Sequence, residues 1–376
     1  MPTLIFKETE ACNSNCVYCD VIARKKPRTI SYERLEKVFI YVNEYLEANP
    51  DDQFSIVWHG GEPCIVGVDF YKNVYEFQEK HCQKTKDRIT HDIQSNLTLI
   101  NEELIEIFKR LGISKVGTSY EPYKGIRGFG PNRDSDAYNR KFFKGIELID
   151  RHGWGWGFIY VVTRHVLDKP LEIFNILTNF KVKGGFQLHP VYSYKNEDKN
   201  NSGITAKEFA DFLGVIFKEW WPNRERYPYV GPFDAYLRLY TEGGPTCCSE
   251  SGNCAYSHIY VGPDGSYSHC GRASDWDVFE VGTVDDMSFL DAFSHPYRQE
   301  IAKRTGWLKE HDCKGCEYFR ICHGGCPLDG WNVKDTIFAK TEWCLSTRYF
   351  LKQYFEPITG LTLNDADHDE LDIFKK

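Results

Sequence analysis

The chain has 376 residues, 41% of them hydrophobic and 15% aromatic, which is enough apolar material for one large core or two smaller ones and too much for a disordered polymer. Its formal net charge of −8 argues against nucleic acid as the main partner, because phosphate recognition favours a basic face. Fourteen cysteines follow a start, MPTLIFKETEACN, without the basic, apolar and small-residue pattern of a secretion signal, and no apolar run approaches the roughly 20 residues that span a bilayer. The expectation is a cytoplasmic protein with no membrane partner, whose cysteines serve metal or redox chemistry instead of disulfides.

In chain order, strand candidates fall at 3–8, 54–59, 90–95, 114–119, 157–162 and 185–192. Between them, 32–48, 70–81, 101–111, 141–152 and 170–180 carry apolar residues every three or four positions and read as helices. This α/β alternation predicts a parallel sheet, open or partly closed into a barrel, with ligands at the C-terminal strand ends. After about residue 236 cysteines cluster, and YVGPDGSYSHC (260–270) reads as a hairpin around Pro-Asp-Gly. Helical segments return from 285, and NDADHDELDIFKK (364–376) reads as an acidic, mobile tail. The expected division is a barrel at 1–235, a cysteine-rich domain at 236–350 and a tail at 351–376.

Directly after the first strand, ACNSNCVYCD places Cys12, Cys16 and Cys19 in a C-x3-C-x2-C pattern. Three thiolates can hold three irons of a [4Fe–4S] cluster and leave the fourth open; a three-cysteine zinc site is the other reading of that spacing. With Tyr18 before the third cysteine, the stretch resembles the cluster motif of radical S-adenosylmethionine (SAM) enzymes. The resemblance implies a partial (β/α)6 TIM barrel. It also implies an open iron that chelates the amino and carboxylate groups of S-adenosylmethionine, whose reductive cleavage gives a 5′-deoxyadenosyl radical. Gly60-Gly61-Glu62-Pro63, at the second strand end, resembles the family's GGEP motif, where glycines let backbone carbonyls approach the cofactor's ammonium. Gln94-Ser95-Asn96 resembles a segment of the sulfatase-maturase branch. By the same resemblance Ser119 is a candidate for ribose or carboxylate contact, Arg133 for the carboxylate, and Leu188 with Pro190 for flanking the adenine.

The later cysteines include CKGCEYFRICHGGC (313–326). Alone, a paired C-x2-C leans towards a zinc knuckle. Together with the upstream spacings, the set resembles the SPASM extension of radical SAM enzymes that modify peptides and proteins, with two auxiliary [4Fe–4S] clusters and interleaved ligands. The resemblance assigns Cys248, Cys254, Cys270 and Cys326 to one and Cys313, Cys316, Cys322 and Cys344 to the other, giving three clusters in all. Cys247 is an alternative to Cys248, and Cys64 and Cys82 read as small buried residues. With four cysteines each, the auxiliary clusters would be closed and suited to electron transfer.

Anaerobic sulfatase maturases, which oxidise a Cys or Ser of a sulfatase to formylglycine, carry an aspartate just after the third ligand of the first auxiliary cluster. Here Gly271 follows Cys270, and Asp275 lies five residues on. Ser119-Tyr120-Glu121-Pro122 also departs from the family's Ser-x-Asp-Gly. The expected function is therefore maturation of a ribosomally made precursor peptide by a crosslink or other oxidative modification, with formylglycine formation second and a non-catalytic iron–sulfur electron carrier remote. Candidate acid–base groups are Glu121, Arg272, Tyr18 and His59. Expected partners are the peptide or protein substrate and an electron donor such as ferredoxin or flavodoxin. The first strand begins at residue 3, so no leader-binding domain is expected before the barrel; either a separate protein recruits a leader peptide or the barrel mouth and the SPASM surface do, while the aromatics at 221–236 read as a packed interdomain linker.

Overall fold

The computed structural model describes residues 2–19, 26–180, 182, 184–196, 199–243 and 247–363. Among these, ten strands run in the order β1 (Thr3–Phe6), β2 (Phe54–Trp58), β3 (Ile89–Ile93), β4 (Lys115–Ser119), β5 (Gly155–Val162), β6 (Phe186–Pro190), β7 (Val230–Gly231), β8 (His258–Val261), β9 (Ser266–Ser268) and β10 (Glu280–Thr283). The chain forms two compact units, Met1–Gly157 with Ala255–Gln299, and Phe158–Cys254 with Glu300–Lys376. The first unit takes in Ala255–Gln299 because β8 pairs in parallel with β1, Thr3 against His258 through Phe6 against Val261. The 258–268 hairpin thereby joins the N-terminal sheet.

The first unit holds a six-stranded sheet in the order β10-β9-β8-β1-β2-β3. Strands β8, β1, β2 and β3 run parallel, whereas β9 and β10 are antiparallel additions. Helices α1 (Tyr32–Ala48), α2 (Val68–His81), α3 (Glu102–Arg110) and α4 (Ser135–Arg151) follow the first four strands in turn. Each starts where the chain can cap or bend it. Ser31 accepts from Arg34 N ahead of α1, and α1 then buries Leu35, Val38, Phe39, Val42 and Leu46 along one face. Asp134 caps α4, which therefore begins six residues before the apolar repeat at 141. The register sets the site: Phe6, Trp58 and Ile93 lie level across β1, β2 and β3, and the Phe6 ring stacks on Trp58 at 4.9 Å. The segments 7–12, 59–62 and 94–96 consequently leave the sheet side by side.

In the second unit the end of β5 pairs in parallel with β6, and β6 with β7. Its helices are α5 (Pro170–Thr178), α6 (Ala206–Trp220) and α7 (Phe233–Glu242). After α8 (Cys254–Ser257), the first unit's second segment forms α9 (Gly271–Asp275) and α10 (Phe289–Ser294). It ends with α11 (Pro296–Glu310), α12 (Phe319–Cys322), α13 (Pro327–Lys334), α14 (Cys344–Phe350) and α15 (Glu356–Thr359). Phe217, Trp220 and Phe233 pack with Phe350 and Phe355. The aromatic stretch at 221–236 thus feeds a core, and the helical run continues past residue 350 with Leu351 and Phe355 buried. The acidic segment 364–376 lies outside the described residues. No helix among the described residues is long and apolar enough to cross a membrane.

Candidate active site

The cysteine loop after β1 is pinned from three sides. Asn96, just past β3, donates from Nδ2 to Asn13 Oδ1 at 2.9 Å and Ser14 Oγ at 3.0 Å. Asn13 in turn donates to Thr98 Oγ1 at 2.8 Å. From the segment after β4, Gly128 O and Ile126 O accept from Asn15 N and Val17 N at 2.8 and 2.9 Å. The loop gathers Cys12, Cys16 and Cys19 within electrostatic reach of one another. Burial pushes the Cys12 thiol up to about 11 and the Cys16 thiol up to about 12. Such thiols ionise when a cation binds them, which suits this donor set to an iron cluster. Among the described residues no three His, Cys, Asp or Glu side chains are arranged around a single metal ion.

The glycine turn rests on this loop. Gly61 N donates to Thr9 O at 2.6 Å and Glu62 N to Ala11 O at 2.9 Å. A Cβ on Gly61 would stand 2.5 Å from Ala11 O and 2.6 Å from Glu10 O, so only glycine fits the approach. The Glu62 carboxylate, 1% exposed, faces inward. Its Oε1 accepts from Cys64 N at 2.9 Å and Ser95 Oγ at 2.7 Å, and its Oε2 from Asn96 N at 2.7 Å. Glu62 therefore acts here as the peg joining the β2 and β3 ends, with its pKa raised by burial. Pro63 opens the short 3-10 turn Pro63–Val66 that Glu62 caps. Beneath it, burial raises fully enclosed Glu8 to about 8, with Glu62 adding repulsion.

Two predicted acid–base groups are committed elsewhere. Glu121, 4% exposed, accepts from Tyr18 Oη at 2.7 Å and from Arg127 Nε at 2.7 Å. Arg127 also reaches the Tyr18 oxygen at 2.5 Å and acts on Cys16, opposing the rise in its thiol pKa. Glu121 and Tyr18, both expected as acid–base groups, form a buried brace with Arg127 behind the cysteine loop. Arg127 escaped the sequence reading.

The remaining candidates lie at the strand ends or beyond. Ser119 ends β4, with Gln94 Nε2 at 3.5 Å from its hydroxyl. Arg133 adopts φ +50 in the turn between Gly130 and Asp134, and a Cβ on Gly128 would strike its backbone. Arg272 lies over the Trp276 ring at 4.6 Å. His59 is reached by solvent, and crowding by protein, then Lys7, lowers its pKa. A further pair was not expected: α9, N-capped at Cys270, turns Asp275 back onto the Lys7 ammonium just beyond β1. Lys7 is 5% exposed and Asp275 26%, and both act electrostatically on His59.

The second unit gathers most of the later cysteines. Cys313 and Cys322 each lie in electrostatic reach of Cys344, and Cys313 of Cys316. Cys248 and Cys254 line one small cavity. Cys247 instead approaches Ser249 Oγ at 2.9 Å and lines a cavity of about 100 Å³ with Leu188, Glu250, Cys326 and Trp343. The 248–254 segment is tied to the 322–326 turn through the His323 ring, whose Nδ1 lies 2.6 Å from Glu250 O. Cys270 belongs to the first unit, Leu188 to the second. Cys64 and Cys82 are buried, the latter donating to Phe39 O at 3.4 Å.

Residues 8–177 match the Radical SAM superfamily. Along its length the chain is similar to a cysteine-type anaerobic sulfatase-maturating enzyme of Clostridium perfringens, 26% identical over 96% of this chain and 98% of the relative. It is also similar to a serine-type enzyme of Bacteroides thetaiotaomicron, 24% identical over 84% and 80%. Among solved structures, native anSMEcpe with bound AdoMet and Cp18Cys peptide has a TM-score of 0.81 at 23% identity, covering 95% of this chain and 98% of that one. Streptococcus suis SuiB bound to S-adenosylmethionine has a TM-score of 0.62 at 14% identity, over 91% and 77%. The α/β fold is thus that of radical SAM enzymes, and residues 8–177 carry a radical SAM domain.

Proposed function

We propose that this radical SAM enzyme oxidises a cysteine or serine side chain of a protein or peptide substrate, the reaction of the sulfatase-maturating enzymes it resembles. The observation that carries the reading is similarity over 96% of this chain to a cysteine-type maturase and over 84% to a serine-type one. It reverses the order expected from the sequence, where Gly271 after Cys270 weighed against formylglycine. Asp275 weakens that objection, because α9 returns its carboxylate to Lys7 at the strand ends. There it can accept a proton at its second oxygen from a substrate thiol or hydroxyl, with Lys7 holding the carboxylate in place.

In this reading Cys12, Cys16 and Cys19 hold a [4Fe–4S] cluster, and Gly60, Gly61, Ser119 and Arg133 face S-adenosylmethionine. Glu62, Gln94, Ser95 and Asn96 position those groups from behind, as their hydrogen bonds imply. When bound, the cofactor pair supplies a hydrogen-abstracting 5′-deoxyadenosyl radical. The barrel spans 1–235 and a SPASM domain 236–350, in which Cys248, Cys254, Cys270 and Cys326 hold one auxiliary cluster and Cys313, Cys316, Cys322 and Cys344 the other. The six-residue step to Cys254 favours Cys248 over Cys247 as ligand. A low-potential ferredoxin or flavodoxin in the cytoplasm supplies electrons. Maturation of a ribosomal precursor peptide by crosslinking is the second reading; the absence of an aspartate directly after Cys270 favours it, and a separate protein would present the leader.

Anaerobic incubation of reconstituted protein with peptides bearing a single Cys or Ser, followed by mass spectrometry, separates the two. An aldehyde at that residue supports the proposal. A crosslinked product that has lost two hydrogens, with no aldehyde, refutes it in favour of the second reading.

A further inference from the structure

The turn between Cys322 and Cys326 is built on three consecutive left-handed residues, His323, Gly324 and Gly325, with φ of 48, 83 and 75. Bulk closes in on both glycines, since an added Cβ would strike Leu308 at Gly324 and Thr341 at Gly325. Carbonyls of this turn converge on Arg304 of α11, which is 3% exposed. Its Nη1 donates to Gly325 O at 2.6 Å, and its Nη2 to Gly324 O at 3.1 Å, Cys326 O at 3.4 Å and Ala339 O at 2.8 Å. Its Nε donates to Ile337 O at 2.6 Å. Every described hydrogen-bond partner of this buried cation is therefore a backbone carbonyl.

Dipoles alone are poor compensation for an enclosed charge, and burial pulls the Arg304 pKa down. Negative charge is nevertheless close. Cys326, Asp329, Cys254 and Cys313 lie within electrostatic reach of the guanidinium. The guanidinium also lines the small cavity that contains Cys248 and Cys254. Asp329 is one carboxylate, already accepting from Thr341 Oγ1 at 2.8 Å. The thiols add charge only as thiolates, the form in which they bind metal. Cys248, Cys254 and Cys326 belong to one proposed set and Cys313 to the other, so one cation faces both.

We infer that Arg304 is the shared countercharge of the two auxiliary cysteine sets, a positioning residue that makes the clusters they hold easier to reduce. A fixed positive charge beside a cluster stabilises the added electron, while the five-carbonyl grip keeps that charge from swinging away. This inference rests on the auxiliary-cluster reading proposed above.

The test uses the full chain carrying Cys12→Ala, Cys16→Ala and Cys19→Ala, so that only auxiliary clusters contribute signal. Arg304→Lys and Arg304→Gln are compared with this parent for iron and sulfide content, and by potentiometric titration of the reduced-cluster EPR signal. Arg304→Lys keeps the charge and is expected to keep the iron. Arg304→Gln is expected either to lose auxiliary iron that Arg304→Lys retains, or to make reduction at least tenfold less favourable, a shift of about 59 mV to lower potential for one electron. The inference is overturned if Arg304→Gln matches the parent in iron and potential. It is equally overturned if both variants lose iron alike, since the role is then hydrogen bonding without charge. A parent without auxiliary iron would instead sink the cluster reading and Arg304's role with it.

Discussion

Replacing Glu62 by Gln tests whether this residue pegs the site together or contacts the cofactor directly. The carboxylate serves three donors: Oε1 takes Cys64 N and Ser95 Oγ, and Oε2 takes Asn96 N. A glutamine has one oxygen, so whichever way the amide is set, its NH2 faces a protein donor and at least one charge-assisted bond is lost. That loss is worth about 1.5–3 kcal/mol, or roughly 10- to 150-fold in a local opening equilibrium. The residue is 1% exposed, so solvent cannot replace the partner. Hydrogen exchange followed by mass spectrometry over 60–66 and 94–98 should show protection falling by that factor, with the rest of the sheet unchanged. S-adenosylmethionine affinity should fall by no more than the same factor, because the effect passes through loop order. Unchanged exchange at Asn96 together with a lost cofactor affinity would refute the peg and restore a direct contact.

Arg127→Met removes the guanidinium paired with the Glu121 carboxylate, 2% exposed at its side chain, and should cost about 3–5 kcal/mol of stability. Chemical denaturation should show this loss, with iron retention falling at the cysteine loop; equal stability of Arg127→Met and wild type would contradict the brace. Glu8, at about 8 in the fold against 4.5 for the free group, stays protonated at neutral pH while the unfolded chain is ionised. Its contribution is therefore fully present below pH 4.5 and declines as pH rises towards 8. Glu8→Gln should gain on wild type over that window by on the order of 1 kcal/mol per pH unit, read from paired unfolding curves; a pH-independent difference would dismiss the shift. Asp275→Asn should lower peptide oxidation by roughly 10²–10⁴-fold while cofactor cleavage without peptide persists. Full product formation would remove Asp275 from proton transfer.

The βα half was legible because strand and helix periods differ sharply and each βα repeat buries one face. The α1 boundaries emerge from the Ser31 cap and the apolar repeat. The start of α4 does not, since its first turn relies on the Asp134 cap ahead of any apolar stripe. The parallel pairing of β8 with β1 could not be read, because a four-residue strand carries too little pattern to name a partner some 250 residues away. The grouping of Cys12, Cys16 and Cys19 in one loop was legible through their spacing. The charged partners were not: Tyr18 and Arg127 are 109 residues apart and Lys7 and Asp275 268 apart, and nothing in local sequence selects one arginine or aspartate from many. The place of Asp275 was hidden for a related reason. Counting along the chain placed Asp275 too far on, whereas one short helix brings it back to the β1 end.

The central claim is that the enzyme takes hydrogen from the side-chain carbon of a Cys or Ser in its substrate. Anaerobic turnover of a peptide deuterated at the β-carbon of that residue tests it directly. The account predicts deuterium in the 5′-deoxyadenosine released, together with an aldehyde at the labelled position. Unlabelled 5′-deoxyadenosine, with the deuterium still on the peptide, would contradict it.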